Sequence, residues 1–437
     1  MKRNLVWLLV VTFLVISLFL AFDNTNWTFI DESTYIRSTI SIVNGRTCNV
    51  ANTTLADPTV CNYEHPPLVK LLEAVSLYTF GWGVPKSSYL RPPEVLQNTS
   101  SPTGTLVVIS YPSGFLGDVS SSPLWFLSFR FFQLVMGALS LVLIYVVALR
   151  ISGNERLALM SSLLLLLEPL YAFFSRTAYL DIPMVFFALC AYAVFFSSFR
   201  LGPINRYWLT GALLGLSALS KESGIVFIVP LVVYHLVFDR TGGRRSTLRE
   251  IGTILAGEIL VTATGLQLYD TLARTPFPTF LNQIQYIASY SSAFICTGTC
   301  SRGLGPFAWF TFFLPNYPSM SLSGNQVLLW LIFIWIPLGF YAFWKSRGRQ
   351  ASADDRLFFF AALLFISTFL EDVSFYIAGR TTWIWYFLTV VPSLALGAAY
   401  LVTRRELPSW TRILIVGLVF VGCFSAYAIG PNLLKFD

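Results

Sequence analysis

Residues 124–149 read Leu-Trp-Phe-Leu-Ser-Phe-Arg-Phe-Phe-Gln-Leu-Val-Met-Gly-Ala-Leu-Ser-Leu-Val-Leu-Ile-Tyr-Val-Val-Ala-Leu, with Arg150 closing the run. About 20 apolar residues in a helix cross the hydrocarbon core of a bilayer, so this stretch reads as a membrane span. Segments of the same character recur at 4–22, 157–174, 182–199, 206–220, 224–238, 250–270, 327–344, 357–371, 382–402 and 411–430. The 437 residues are 55% hydrophobic and only 12% charged, whereas soluble domains carry roughly 25% charged residues. Mean hydropathy is +0.66. The expectation is an all-α polytopic membrane protein of about eleven transmembrane helices. No linker or fixed-period repeat divides the chain, which reads as a single transmembrane domain over 1–437. Its first segment has no small-residue cleavage site and reads as an anchor, not a signal peptide.

Lys and Arg in short loops set orientation. With the N-terminus inside, 17 of the 29 basic residues fall beside membrane ends on the inner face, among them Lys2, Arg3, Arg150, Arg156, Arg244, Arg245, Lys345 and Arg412. The net charge of +7 is therefore a topology signal. Basic residues spread over separate loops form no stripe, which speaks against a nucleic-acid partner. This orientation places an active site at the extracytoplasmic face of a cell membrane.

Two loops are long on the outer side, 23–123 and 271–326. The first holds acceptor sequons at Asn26, Asn52 and Asn98, each without an intervening proline. It also holds Cys48 and Cys61, while the second holds Cys296 and Cys300. Paired cysteines in outer loops suggest disulfides in an oxidising space, with four unpaired thiols as the alternative. Cys190 and Cys423 fall within spans and read as packing residues. The first loop opens polar, then becomes helical at Pro66, where proline suits a first helical position. Leu68, Leu71, Leu72, Val75 and Tyr78 mark an apolar face, with Lys70 and Glu73 opposite, as in a helix lying along the membrane surface. Residues 84–123, rich in Pro, Ser and Gly, read as loop. The second long loop is aromatic and suits an interface or a cavity wall.

The chemistry-bearing residues collect on the outer side. Phe29-Ile30-Asp31-Glu32 follows the first span, and Tyr63-Glu64-His65-Pro66-Pro67-Leu68-Val69-Lys70 follows after a loop. Arg130, Ser175-Arg176, Leu180-Asp181-Ile182-Pro183 and Lys221-Glu222 return to the same face. Adjacent acids can simply end a span in water, and basic side chains at helix ends can snorkel. Asp181 reads equally as an acid favoured by a helix N-terminus and as a site residue. Glu73 at i+3 explains Lys70 as a surface pair, and Glu222 is a ready partner for Lys221. Glu371 and Asp372, with Arg380 close by, form one more polar cluster, read first as an internal ion pair. With two histidines in the chain, His65 and His235, no zinc site is expected.

In this order the pieces resemble the protein O-mannosyltransferases and the related bacterial aminoarabinose transferases, polytopic glycosyltransferases that use a polyprenyl-phosphate sugar. The resemblance is carried by Asp31-Glu32, by His65-Pro66-Pro67-Leu68-Val69-Lys70, and by Arg130 through Gly137. Ser175-Arg176 with Leu180-Asp181-Ile182-Pro183 adds to it, as does Gly211 to Gly224 with Gly215-Leu216 and Lys221. Weaker echoes are Ser323-Gly324-Asn325 and Tyr386 with Pro392. The large sugar-binding insertion of the eukaryotic enzymes is absent, as is the Trp-Trp-Asp of oligosaccharyltransferases.

The resemblance implies the GT-C architecture and an inverting transfer of one sugar from a polyprenyl phosphate to Ser or Thr of exported proteins. It implies Asp31 as the base, with Glu32 and Asp181 beside it. His65, Lys70, Arg130, Arg176, Lys221 and Arg380 are the implied phosphate-binding residues, His65 standing where relatives carry a Lys. Partners would be the lipid donor, a protein acceptor and membrane lipids, with a homo- or heterodimer compatible. No cofactor is implied; a divalent ion on Asp31, Glu32 and Asp181 is compatible but not required. The same chemistry with a lipid or glycan acceptor is the nearest alternative, then a non-catalytic membrane subunit or a transporter. Transporters bind near the midplane and often show repeats, which this chain does not.

Overall fold

The computed structural model describes residues 2–23, 30–43, 63, 65–80, 94–101, 104–110, 123–197, 203–238, 243–273, 275, 277–293, 325–345, 351–378, 384–404 and 406–433. Cys48, Cys61, Cys296, Cys300, Asn26, Asn52 and Arg380 lie outside the described residues. So do the side chains of Asp31 and Asn98.

A helix, or a pair of helices in series, stands at each apolar segment. In chain order these are α1 (Lys2–Asp23), α2 (Ile30–Val43), α3 (Leu68–Phe80), α4 (Pro123–Ser152), α5 (Glu155–Leu166), α6 (Pro169–Phe174), α7 (Asp181–Phe195) and α8 (Pro203–Ser220). A 3-10 turn (Glu222–Phe227) leads into α9 (Ile228–Phe238), followed by α10 (Gly243–Leu272), α11 (Phe280–Ala293), α12 (Gln326–Trp330), α13 (Ile332–Lys345) and α14 (Ala353–Ile377). A second 3-10 turn (Ile384–Thr389) opens α15 (Val391–Thr403), and α16 (Ser409–Leu433) ends the described chain. Among the described residues, four helical stretches are long and apolar enough to cross a membrane by length and composition; the other apolar helices are shorter. Large apolar side chains point outward on α1 (Trp7, Leu8, Val15, Phe19), α10 (Ile259, Leu260), α13 (Phe333, Tyr341, Trp344) and α16 (Trp410, Ile413, Phe424). Apolar surface on that scale is stable only against lipid.

The first long loop differs from its sequence reading in two places. Residues 30–43 are helical, so Asp31 and Glu32 stand in the first turn of α2 and do not lie in a polar loop. Within 84–123, β1 (Glu94–Ser101) and β2 (Gly104–Ser110) form an antiparallel hairpin. The run Leu106-Val107-Val108-Ile109 has the β-branched character that favours a strand, and composition rich in turn residues hid it.

Packing inside the bundle uses small residues where helices approach closely. Gly211 and Gly215 of α8 face the backbone of Ile254 and Glu258 on α10, and Gly257 of α10 faces Trp208 O in return. Glycines four apart let two backbones meet, as in membrane helix pairs generally. Trp335 of α13 is fully buried, lying on Gly397 of α15 and edge-on to Phe358 of α14. Substituting Val at Gly211 or Gly257 forces the helices apart, and should cost about 1–3 kcal/mol or more. Gly252, also on α10, has open space at its Cβ position. We expect G211V and G257V to lower the unfolding midpoint in detergent by several degrees, while G252A leaves it unchanged or raises it.

Candidate active site

Glu32 is the residue on which one end of the bundle converges. The first turn of α2 sets its side chain inward, and it is fully buried. Arg130, in the second turn of α4, meets it as a fork: Nε donates to Oε1 at 2.8 Å and Nη2 to Oε2 at 2.9 Å. The backbone N–H of Ala178, between α6 and α7, donates to Oε1 at 2.8 Å. A planar guanidinium matches a carboxylate in this two-pronged way. One side chain thus ties together the chain after α1, the start of α4 and the turn before α7.

Beside it stands a second pair. Lys221, between α8 and the turn Glu222–Phe227, donates from Nζ to Asp181 Oδ1 at 2.6 Å. The same ammonium lies 4.5 Å from the centroid of the Tyr386 ring, a cation–π contact. Both Asp181 and Lys221 are buried. His65 Nδ1 is 2.9 Å from Glu222 Oε2, and Tyr35 packs edge-on against both His65 and Tyr179. Arg176 is buried, its Nε donating to Ala172 O at 3.2 Å and its guanidinium 5.6 Å from the Phe173 ring centroid. Ser175, the residue before it, serves packing: its Oγ donates to Tyr171 O, and Gly137 leaves the space it fills.

Helix α3 inverts the surface-helix reading. Its polar face is the buried one: Lys70 and Glu73 are both fully enclosed, while Val75, Tyr78 and Phe80 are exposed. Lys70 Nζ donates to His65 O at 2.8 Å. Glu73 accepts from Thr39 Oγ1 at 2.8 Å and from Gln133 Nε2 at 2.6 Å. Lys70 and Glu73 therefore form no exposed i,i+3 pair. Burial pushes the Glu73 carboxyl up to about 8, against the opposing pull of those two hydrogen bonds.

Two further readings are corrected. Lys221 pairs with Asp181 and not with its neighbour Glu222, which faces His65. Asp181 caps nothing: Leu180 holds the cap position without a side-chain bond, although Asp181 in the first turn still suits the helix dipole. Glu32, Asp181, His65, Lys70, Arg130, Arg176 and Lys221 gather at the same end of the bundle. Asn325, the end of a weak echo, is an anchor: its side chain donates to Leu167 O and Val419 O, and Glu168 accepts from its N–H. Thr39, Gln133 and Glu73 were missed as site neighbours. Glu73 on α3 and Gln133 on α4, polar residues embedded in apolar sequence, were the available signal, whereas Thr39 lies on the more polar α2.

A sequence model of the family described as dolichyl-phosphate-mannose-protein mannosyltransferase matches residues 115–264. That span includes Arg130, Arg176, Asp181 and Lys221 but not Asp31 or His65. A polyprenol-phosphate-mannose–protein mannosyltransferase of Mycolicibacterium smegmatis is 32% identical over 136 residues, which cover 26% of this chain and 26% of that one. The match thus spans about a quarter of that relative. Among solved structures, the Saccharomyces cerevisiae Pmt1–Pmt2 O-mannosyltransferase complex bound to the sugar donor superposes with a TM-score of 0.69 at 12% identity, over 99% of this chain and 90% of that one. ArnT from Cupriavidus metallidurans bound to undecaprenyl phosphate gives a TM-score of 0.56 at 18% identity, over 95% of this chain and 63% of that one. The fold is that of the GT-C membrane glycosyltransferases, and the chain resembles the protein mannosyltransferases over a segment that holds the Asp181–Lys221 pair and Arg130, but not Glu32.

Two outcomes follow from the burial. Removing one partner of a buried pair leaves an uncompensated charge, so R130M or E32Q alone should cost about 3–5 kcal/mol, and the double variant less than their sum. A thermal unfolding cycle in detergent measures this. For Glu73 the folded-state value of about 8 lies above the ordinary carboxyl value of 4.5. The folded protein then holds a proton that the unfolded chain has lost, so stability falls as pH rises between those values and levels off above. The wild-type midpoint should drop from pH 5 to pH 9 relative to E73Q, which cannot titrate there.

Proposed function

We propose that the protein is an inverting glycosyltransferase that moves a single sugar, mannose or another hexose, from a polyprenyl or dolichyl phosphate to Ser or Thr hydroxyls of exported proteins. The observation that carries this reading is the convergence of Glu32–Arg130, Asp181–Lys221 and His65–Glu222 at one end of an apolar bundle. Charged groups from stretches so far apart in sequence are costly to bury in a membrane protein unless they act there. The match over residues 115–264 and the fold shared with a donor-bound mannosyltransferase complex support the same class.

The roles follow from which groups are already engaged. Glu32 directs its oxygens at Arg130 and the Ala178 N–H, so it holds the scaffold. Of the two adjacent acids, Asp31 is then the base that takes the acceptor's hydroxyl proton. As that oxygen bonds to the anomeric carbon, the bond from carbon to phosphate oxygen breaks on the opposite face, and polyprenyl phosphate leaves. Its growing charge needs fixed cations. Lys221 is the first choice, with His65, Lys70 and Arg176 around it, while Arg130 is held by Glu32. In this reading no cofactor is needed, since the chain's own cations supply the charge. The apolar flanks exposed on α1 and α3 suit the polyprenyl tail. The site end faces the extracytoplasmic side, as the basic residues at the other membrane ends suggest.

The test is transfer from radiolabelled polyprenyl-phosphate mannose in membranes holding the wild type or D31N. A general base typically contributes 10²–10⁴-fold. We expect label on protein, released by alkaline β-elimination, with D31N at least about a hundredfold slower while keeping its unfolding midpoint. Label on lipid would keep the mechanism and change the acceptor. Undiminished transfer by D31N would remove the base assignment, and no transfer by the wild type from any hexose donor would remove the proposal.

A further inference from the structure

One acid at this end of the bundle has no part in that chemistry. Asp372 stands in the last turns of α14, nearly 200 residues from Asp181 by sequence, and only 3% of it is exposed. Its helix packs against both 3-10 turns, the one that begins at Glu222 and the one that carries Tyr386. Asp372 also lies within electrostatic reach of Lys221 and Asp181, so it borders the same small region.

The carboxylates there are incompletely used. Asp181 gives Oδ1 to Lys221, but its buried Oδ2 accepts no hydrogen bond, and neither does the buried Oδ2 of Asp372. A buried acceptor without a donor is costly and calls for a ligand that brings donors. The phosphodiester of a lipid-linked sugar has only acceptors to offer and would be repelled by both acids. A sugar ring brings several hydroxyl donors on a compact frame, and the Tyr386 ring beside Lys221 offers a flat face for it. The cation and the acids would then divide the donor between them, Lys221 taking the phosphate side and the two open oxygens the sugar side.

We propose that Asp372, together with the open oxygen of Asp181, accepts hydrogen bonds from hydroxyls of the transferred sugar and thereby helps to select which sugar is moved. This rests on the glycosyl-transfer reading above. It assigns to α14 a specificity role that the ion-pair reading of Glu371, Asp372 and Arg380 does not contain.

The experiment compares wild type, D372N and D372S as full chains in detergent. Two ligands are used, polyprenyl phosphate and polyprenyl-phosphate mannose, with thermal midpoint and transfer kinetics as readouts. The wild type should be stabilised more by the sugar-bearing lipid than by the bare one. D372S, which withdraws the acceptor oxygen that an Asn amide would still offer, should keep the shift given by the bare lipid and lose the extra shift, with KM for the donor raised at least about tenfold, the loss expected when a site built to bond a hydroxyl cannot do so, while D372N should lose less. If both shifts and KM stay at wild-type values, Asp372 does not hold the sugar. A series of monodeoxy-mannose donors tested on the wild type keeps the question answerable should the variants fail to fold. At least one deoxy donor should be transferred markedly worse, and D372S should not make that distinction. Equal use of every deoxy donor by the wild type would overturn the proposal. Absence of any transfer or lipid-induced shift in the wild type would instead overturn the underlying function, and this inference with it.

Discussion

The Glu32 carboxylate is the constraint on which the site end of this bundle depends. Four donors could surround an ionised carboxylate, and Glu32 takes three of them from partners 98 and 146 residues away. Breaking this cluster leaves a charge in a place where water cannot reach it. The position of α2 after the first span is thereby coupled to the turn between α6 and α7, which in turn sets Asp181 at the head of its helix. An exposed pair could not impose such a register, because solvent would compete for each partner. Burial makes the cluster expensive to misplace, and that expense gives it positional authority.

The same reasoning explains why α3 faces the way it does. In water, Lys70 and Glu73 would be the outer face of an amphipathic helix and the leucines the inner one. Next to lipid the preference reverses, and the side chains that can find partners turn inward, to Thr39, Gln133 and the carbonyl of His65. Burial there pushes the Glu73 carboxyl up to about 8. A protonated Glu73 would do little to cancel the charge of Lys70.

Much of this was legible in the sequence. Apolar segments separated by basic turns give the helices directly, since a bilayer imposes one length and one polarity on every span. The ordered motifs named Glu32, Arg130, Asp181 and Lys221, and the fold brings all four to one end of the bundle as two buried ion pairs. Pairing was not legible. Lys221 has an acid as its immediate neighbour, yet its partner is Asp181, because in the extended backbone at Lys221 adjacent side chains point apart. The direction of α3 was missed because periodicity gives two faces without saying which solvent each meets. For Asp372 the sequence offers only its near neighbours Glu371 and Arg380 as company, whereas the approach of α14 to the two 3-10 turns is a tertiary fact.

That Arg130 and Lys221 are paired with carboxylates raises the question of how the proposed site could serve a phosphate. A phosphodiester donor carries one negative charge, and its departing polyprenyl phosphate gains another as the bond breaks. A lone buried ammonium would stabilise both states, and it would also bind any anion while the site was empty. Pairing Lys221 with Asp181 lowers that idle affinity without moving the charge away. In the proposed reaction, a sugar whose hydroxyls satisfied Asp181 would weaken its hold on Lys221, and the ammonium could lean toward the phosphate at the stage where charge grows. Binding of the sugar and stabilisation of the leaving group would then be linked through one carboxylate. Such linkage favours the transition state over the ground state, which is the only kind of interaction that accelerates a chemical step.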